Sequence, residues 1–494
     1  MNPASEQAFL LLRRYGKDSN FGTLVEKYNA IDRNVKAYEA MRSSELPVEN
    51  LREDYKLSSE IVRVLDEEIS PRINSLKFEE RIEEAREVLR KVIEDPILTP
   101  EQKDIKISYI LARLLPKTNN HQHLKGSVPM ETTMALASSH HLGPLQLASI
   151  QTAYEKGREG FENLNEFNDA YGTIGSVIRT PDDYQAAIRG IVNEATKSGQ
   201  LTVEIRCSVI GQKDASGNLI DPNAATENIL QAISQTTNAI GQEAPKTGFT
   251  FLGYRGRDWH PDEVTMHAKL AVEFAQKYPD KKFSFDIAGP EDTGYSPLFF
   301  KEAYDLVRAY NNKIKSGELK GELIGVTTHA GETPSFDNGR SGGGAIEEAL
   351  EMGVDRIGHG IQAITNPETL DKLKRSGVTV EICGVCNISS IPLNTRGMAL
   401  HPVQEFMHEG IPITVCTDND GISATSITKE YAQFLLTGHN QLMNWNNIKK
   451  VARHGIEISF VPDKDKADAL KLFDERIRII ERMFTEEKVK FEEN

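Results

Sequence analysis

Positive charge is scarce in this chain. Its 58 lysines and arginines face 73 aspartates and glutamates, a formal net charge of -15 over 494 residues. A surface that grips nucleic acid or phospholipid needs the opposite balance, so neither is an expected partner. A small anionic substrate held by one local cation is not excluded. Cysteine is scarce too. The four present, Cys207, Cys383, Cys386 and Cys416, are too few for a disulfide scaffold and read as buried thiols in a reducing compartment. Cys383-Gly-Val-Cys386 has C-x-x-C spacing, which alone is weak and is read as coincidence. No apolar run approaches the ~20 residues of a spanning helix, so no membrane association is expected. The opening Met1-Asn-Pro-Ala-Ser-Glu-Gln7 lacks the basic-then-apolar pattern of a signal peptide, and a cytoplasmic location is expected. There is no internal repeat, no low-complexity tract and no glycine-rich dinucleotide fingerprint after an early strand.

What is present is ordinary in bulk and specific in detail. A chain of 494 residues, 39% hydrophobic and 27% charged, is long enough for a large core and more than one unit. Residues 1–115 read as helices. Ile82, Ala85, Leu89, Val92 and Ile93 fall at helical spacing. Thr99-Pro-Glu-Gln102 is a capping box with proline at the first helical position. This region is expected to cap the rest of the molecule, and its helices offer a surface for self-association. From residue 116 to 494 short β-like runs alternate with amphipathic helices such as 186–196, 262–278 and 346–352. Strands are predicted over 119–124, 201–208, 248–254, 283–289, 323–329, 356–359, 378–383 and 413–417, with the longest insertion between the first two. Eight such alternations predict an α/β fold, a (β/α)8 barrel with an N-terminal helical extension. The charged closing segment, 464–493, is expected to be a solvated outer helix.

Barrel chemistry collects at the C-terminal ends of strands, and four predicted strand ends are unusual. The first ends His121-Gln-His123, two imidazoles on one strand face. The fifth ends His329-Ala-Gly-Glu332, where Gly331 lets the backbone swing the carboxyl inward. The sixth ends Gly358-His359-Gly360 and the eighth Thr417-Asp418-Asn419-Asp420. Three imidazoles and a carboxylate, from His121, His123, His329 and Asp418, suit one Zn2+ with a position left for water. The fourth strand carries no lysine at its end to bridge two metals, so one ion per chain is expected.

Together His121-Gln-His-Leu-Lys-Gly-Ser127, Asp286-Ile-Ala-Gly289, His329-Ala-Gly-Glu332, Arg356-Ile-Gly-His-Gly360 and Thr417-Asp418 resemble the adenosine/AMP deaminase family, in order and across residues 116–485. The resemblance implies a (β/α)8 barrel, one zinc, and hydrolytic removal of the 6-amino group of a purine. By motif, His121, His123, His329 and Asp418 hold the zinc. Glu332, kept protonated by burial, donates to purine N1. His359 orients the activated water or shares its proton, and Asp418 accepts a hydrogen bond from that water. The Gly289 N–H contacts N3.

Two departures bear on the substrate. Lys125 stands where many adenosine deaminases have aspartate near the ribose 5′-hydroxyl, and a cation there favours a 5′-phosphate. Asn419 replaces a second aspartate near N7, where its amide donates without needing an acidic proton. Leu164, Phe167 and Tyr171 lie at helical spacing where family members carry an apolar gate over the ribose. Glu381-Ile-Cys-Gly-Val-Cys-Asn387 and Cys416-Thr-Asp-Asn-Asp-Gly421 are similar to the branch acting on N6-methyl-AMP. The loop 337–344, with Arg340, is either a surface loop or a phosphate-facing lid. The expected reaction is adenosine to inosine plus ammonia, with AMP or N6-methyl-AMP as the alternative substrate. A non-catalytic binder on the same fold is disfavoured because His121, His123, His329, Glu332, His359 and Asp418 are all present.

Overall fold

The computed structural model describes residues 22, 24–26, 48–161, 164–390, 401–437 and 444–489. Most of residues 1–47, read as helical from the sequence, lie outside the described residues; among the described ones α1 (Val48–Ile69), α2 (Phe78–Glu94) and α3 (Pro100–Leu114) lead into the barrel. The capping box at the head of α3 forms as read, with the Gln102 N–H donating to Thr99 Oγ1 and the Thr99 N–H to Gln102 Oε1. The apolar faces of these helices join the barrel's own core, so Ile61, Leu65, Leu89 and Ile110 belong to one continuous hydrophobic cluster with the strands' outer residues.

Strands β1 (Lys117–His123), β2 (Gln200–Cys207), β3 (Lys246–Tyr254), β4 (Phe283–Ala288) and β5 (Gly325–Ala330) follow. Then comes a short hairpin of β6 (Ser335–Phe336) and β7 (Arg340–Ser341), and after it β8 (Arg356–His359), β9 (Thr379–Ile382) and β10 (Ile413–Val415). The eight-stranded sheet runs β1-β2-β3-β4-β5-β8-β9-β10, with every neighbouring pair parallel. The His123 N–H donates to the Asp418 carbonyl at 2.8 Å and the Asp418 N–H to the His121 carbonyl at 2.9 Å. This contact of the last strand end with the first closes the barrel and brings an aspartate beside two histidines.

The strands lie within a few residues of their predicted places, and seven of the eight are buried at every position. That is the expected state of a parallel sheet covered by helices. β1 is the exception in composition, since Lys-Thr-Asn-Asn-His-Gln-His is wholly polar yet wholly buried. Such a strand survives only if its side chains are partnered. Asn119 accordingly donates to Thr417 and Asn120 to Glu204.

The β1–β2 insertion supplies α4 (Met130–Ser139), α5 (Pro144–Glu159), α6 (Leu164–Gly175) and α7 (Pro181–Lys197). The outer ring continues with α8 (Pro222–Ile240), α9 (Asp262–Lys277), α10 (Lys301–Lys315), α11 (Gly342–Met352) and α12 (Pro367–Ser376). It ends with α13 (Gly384–Ser390), α14 (Val403–His408), α15 (Ile427–Thr437), α16 (Trp445–Glu457) and α17 (Asp463–Glu486). The closing helix differs from expectation. α17 buries Phe473, Arg476, Ile480 and Phe484, and Glu487 just beyond it pairs with Arg86 and Arg90 of α2. It packs between the N-terminal helices and the barrel because its charges conceal an apolar stripe at helical spacing.

Candidate metal and active site

His121 and His123 point to one side of β1, as the two-residue period requires. His121 Nε2 lies 3.2 Å and His123 Nε2 3.1 Å from Asp418 Oδ1. His123 Nε2 lies 3.1 Å from His329 Nε2. One ligand atom from each of these four buried residues therefore lies within 4.8 Å of every other. Their rear nitrogens are held by carboxylates. His121 Nδ1 faces Glu381 Oε2 at 2.6 Å, and His329 Nδ1 faces Asp286 Oδ2 at 3.1 Å. Such pairing fixes the tautomer so that Nε2 carries the lone pair forward.

The donor set fits a divalent ion. His121 Nε2 and Asp418 Oδ1 are buried and complete no hydrogen bond of sound geometry, close as they are. An orphaned pair of this kind is costly unless something binds it. Burial holds His123 below its usual range and His329 down at about 3, both neutral. Burial also opposes charge on His121, yet Asp418 and Glu381 outweigh it and raise that imidazole to about 9.

Around this cluster stand the other residues singled out by the sequence. Glu332 is buried, with Oε1 3.7 Å from His359 Nε2. Burial, reinforced by the Asp418 and Glu291 charges, pushes its carboxyl up to about 8. His359 and Asp418 adopt left-handed backbone, φ 66° and 63°. Non-glycine residues there carry strain of order 1 kcal/mol or more, and such strain concentrates at functional sites. Gly331 has φ 69°, as its turn demanded. Gly289 has φ 114°, and a Cβ there would come within 2.7 Å of the Tyr254 ring, so only glycine keeps this backbone open.

Lys125 forms no ion pair among the described residues. Burial pulls it below the usual lysine range, and its ammonium sits 5.9 Å from the Tyr184 ring. Asn419 is buried with Oδ1 unpartnered among the described residues. Phe167 is buried edge-on against Phe161 and stacked near Tyr171, while the Leu164 side chain lies outside the described residues. Arg340 is already engaged by Asp337 and Glu348 and lies over the Phe336 ring. The 337–344 segment is thus a pinned hairpin turn leading into α11.

Sequence reading missed a supporting layer. Glu381 binds His121, Arg206, Thr327 and Arg356. Its signal was present, since a charged residue inside a four-residue strand is anomalous. Glu291 accepts the backbone N–H groups of Gly331, Glu332 and Thr333 at 2.6–2.8 Å, fixing the turn that carries Glu332. The C-x-x-C pair is not incidental to the site. The Cys386 thiol donates to Asp418 Oδ2 at 2.7 Å, and a Cys383 ligand atom lies within 4.8 Å of ones on His121 and His359. All four cysteines are buried and none forms a disulfide.

Residues 116–476 match the family model described as adenosine deaminase. The adenosine deaminase of Enterococcus faecalis is 26% identical over 355 residues, spanning 72% of this chain and 95% of the relative. The adenine deaminase of Chelativorans sp. is 25% identical over 357 residues, spanning 72% and 96%. Arabidopsis ADAL complexed with IMP superposes with a TM-score of 0.58 at 19% identity, over 74% of this chain and 97% of that one. An amidohydrolase from Burkhoderia ambifaria with bound Zn superposes with a TM-score of 0.59 at 18% identity, over 79% and 97%. At these identities the two structures bear on the fold, an (β/α)8 barrel.

Proposed function

The chain belongs to the adenosine deaminase family, an aminohydrolase of adenine-type substrates, and on that premise we propose that it converts adenosine to inosine and ammonia at one zinc site. The observation that carries this reading is a buried carboxyl, Glu332, held near pH 8 beside four converging ligand atoms. His121, His123, His329 and Asp418 would hold the ion. When bound, Zn2+ supplies Lewis acidity and lowers the pKa of a neighbouring water toward ~7.

The chain's own residues account for the rest. Protonated Glu332 donates to purine N1, which withdraws electron density from C6 and opens it to attack. Glu291 fixes the turn so that this proton is delivered from one position. The Gly289 N–H meets N3, and the Asn419 amide donates to N7. His359, buried opposite Glu332, orients the attacking oxygen. Phe167 and Tyr171 form the apolar wall over the ribose and help exclude water. Division at residue 115 into a helical extension and a catalytic barrel, with self-association through the former, belongs to the same proposal.

A second reading, a 6-aminopurine 5′-monophosphate as substrate, is favoured by one observation, the half-buried Lys125 without an acidic partner among the described residues. The structural relative from Arabidopsis is described as complexed with IMP, the 6-oxopurine monophosphate such a reaction would release. Ultraviolet assay of adenosine, AMP, N6-methyl-AMP and adenine decides among them. Adenosine turning over fastest supports the first reading, and no spectral change with any of the four removes both.

A further inference from the structure

Behind His359 runs a line of hydrogen bonds that the chemistry above does not use. Val403 is the first residue of α14, so its backbone N–H has no carbonyl one turn back to receive it. It donates instead to His401 Nδ1 at 3.1 Å. His401 Nε2 lies 3.3 Å from Asn387 Oδ1. Asn387 Nδ2 in turn lies 2.9 Å from His359 Nδ1. All three side chains are buried, His401 and Asn387 at 1% exposure and His359 at 0%.

The direction of this line can be worked out from one end. An imidazole or an amide can be turned over when hydrogens are not observed, but a backbone N–H cannot. His401 Nδ1 must therefore present a lone pair, and the ring's one proton sits on Nε2. Burial holds His401 down at about 3, so the ring stays neutral. Its Nε2–H needs an acceptor, and Asn387 Oδ1 is the atom in reach. That commits the amide, whose NH2 then faces His359 Nδ1 as a donor. His359 Nδ1 accepts, and the remaining proton of the neutral ring lies on Nε2. This is the nitrogen 3.7 Å from Glu332 Oε1, with no hydrogen-bond partner among the described residues. Running the line the other way would set two donors face to face where Val403 meets His401.

We propose that Val403 N–H, His401 and Asn387 form a directional relay that locks His359 as its Nε2–H tautomer, making it a hydrogen-bond donor toward the reacting oxygen and not the base that takes its proton. The tautomer follows from the hydrogen bonds alone; its catalytic meaning rests on the deaminase reading, which places an attacking oxygen in front of Nε2. A nitrogen that already carries a proton cannot accept another. Its fixed N–H stabilises negative charge on that oxygen as it adds to C6. Asn387 and His401 are positioning residues, since both act through His359 Nδ1.

The test uses metal-loaded protein with ring-15N-labelled histidine. Two-bond 15N–1H correlation spectra separate the two neutral tautomers, and His359 is assigned by the signals missing from His359→Gln. The expected pattern is Nε2–H. In Asn387→Asp the carboxylate accepts from both rings, so His359 turns to Nδ1–H, and kcat should fall about 100-fold with KM little changed and metal content intact. If His359 were the base, the same carboxylate would strengthen it and kcat would hold or rise, which overturns the proposal. His401→Gln gives an independent route. Its amide can still accept from Val403 and donate to Asn387, so kcat should stay within about threefold, whereas His401→Phe should lose at least about tenfold. Equal losses in those two variants count against the relay. An Nδ1–H spectrum in the unaltered protein overturns it even if adenosine is deaminated. Failure to deaminate any purine sinks the functional reading, while an Nε2–H spectrum still supports the relay.

Discussion

Replacing Glu332 by glutamine should destroy turnover and stabilise the fold, the second effect growing with pH. The carboxyl is displaced from 4.5 to about 8, with burial as the main cause and the Asp418 and Glu291 charges behind it. At pH 7 about nine in ten Glu332 side chains then carry the proton, against about one in 300 for an ordinary glutamate. In the proposed mechanism that proton goes to purine N1, and Glu332→Gln, which cannot pass one on, should lose about 10²–10⁴ in kcat. The sign of the stability effect follows from linkage. Between pH 4.5 and about 8 the folded site keeps a proton that the unfolded chain has released, so stability falls as pH rises through that window. Integrated, the cost to the unaltered protein is about 1 kcal/mol at pH 5 and about 3 kcal/mol at pH 7. The variant has no such group. Urea unfolding of both metal-free proteins at the two pH values should show the variant's advantage larger by about 2 kcal/mol at pH 7. Any pH-independent cost of burying the amide cancels in this difference. Parallel stability profiles, or turnover within about tenfold of the unaltered enzyme, would refute the reasoning.

Other perturbations probe separate parts of the site. His121→Ala should take bound metal from one ion per chain to a small fraction by elemental analysis, because the proposed four-ligand site loses one of its three nitrogens; unchanged metal content would dissolve the assigned ligand set. Lys125→Met should raise KM for AMP by about 10- to 100-fold while leaving adenosine nearly unchanged, the loss of one charge-assisted contact; equal effects on both would remove the phosphate assignment. Glu291→Gln places an amide N–H2 against backbone donors, and kcat/KM should drop about 10- to 100-fold with metal retained. A variant that works normally would show that the turn needs no such anchor.

Several of these sites were legible in the sequence and several were not. His121 and His123 announced themselves because a two-residue spacing on a strand has only one geometric outcome. His329, Glu332, His359 and Asp418 followed because each closes a β-like run, and strand ends in a parallel barrel share one rim. The role of Cys386 was missed, since C-x-x-C spacing says nothing about which carboxylate a thiol will meet. The closing helix reads as solvated from sequence because its charges dominate any simple count, although Phe473, Ile480 and Phe484 lie at helical spacing and are buried.

Order along the chain was therefore enough to determine the eight strands, the helices that alternate with them, and which residues crowd one end of the barrel, since all of these follow from local periodicity. Only the folded molecule decided how those residues behave. Glu381 reaches His121 across 260 positions of chain and Asn387 reaches His359 across 28. Which nitrogen holds a proton, and whether Glu332 keeps one at neutral pH, depend on such contacts. Hydrogen-bond direction and desolvation are properties of a neighbourhood, and a neighbourhood exists only after the strands have closed.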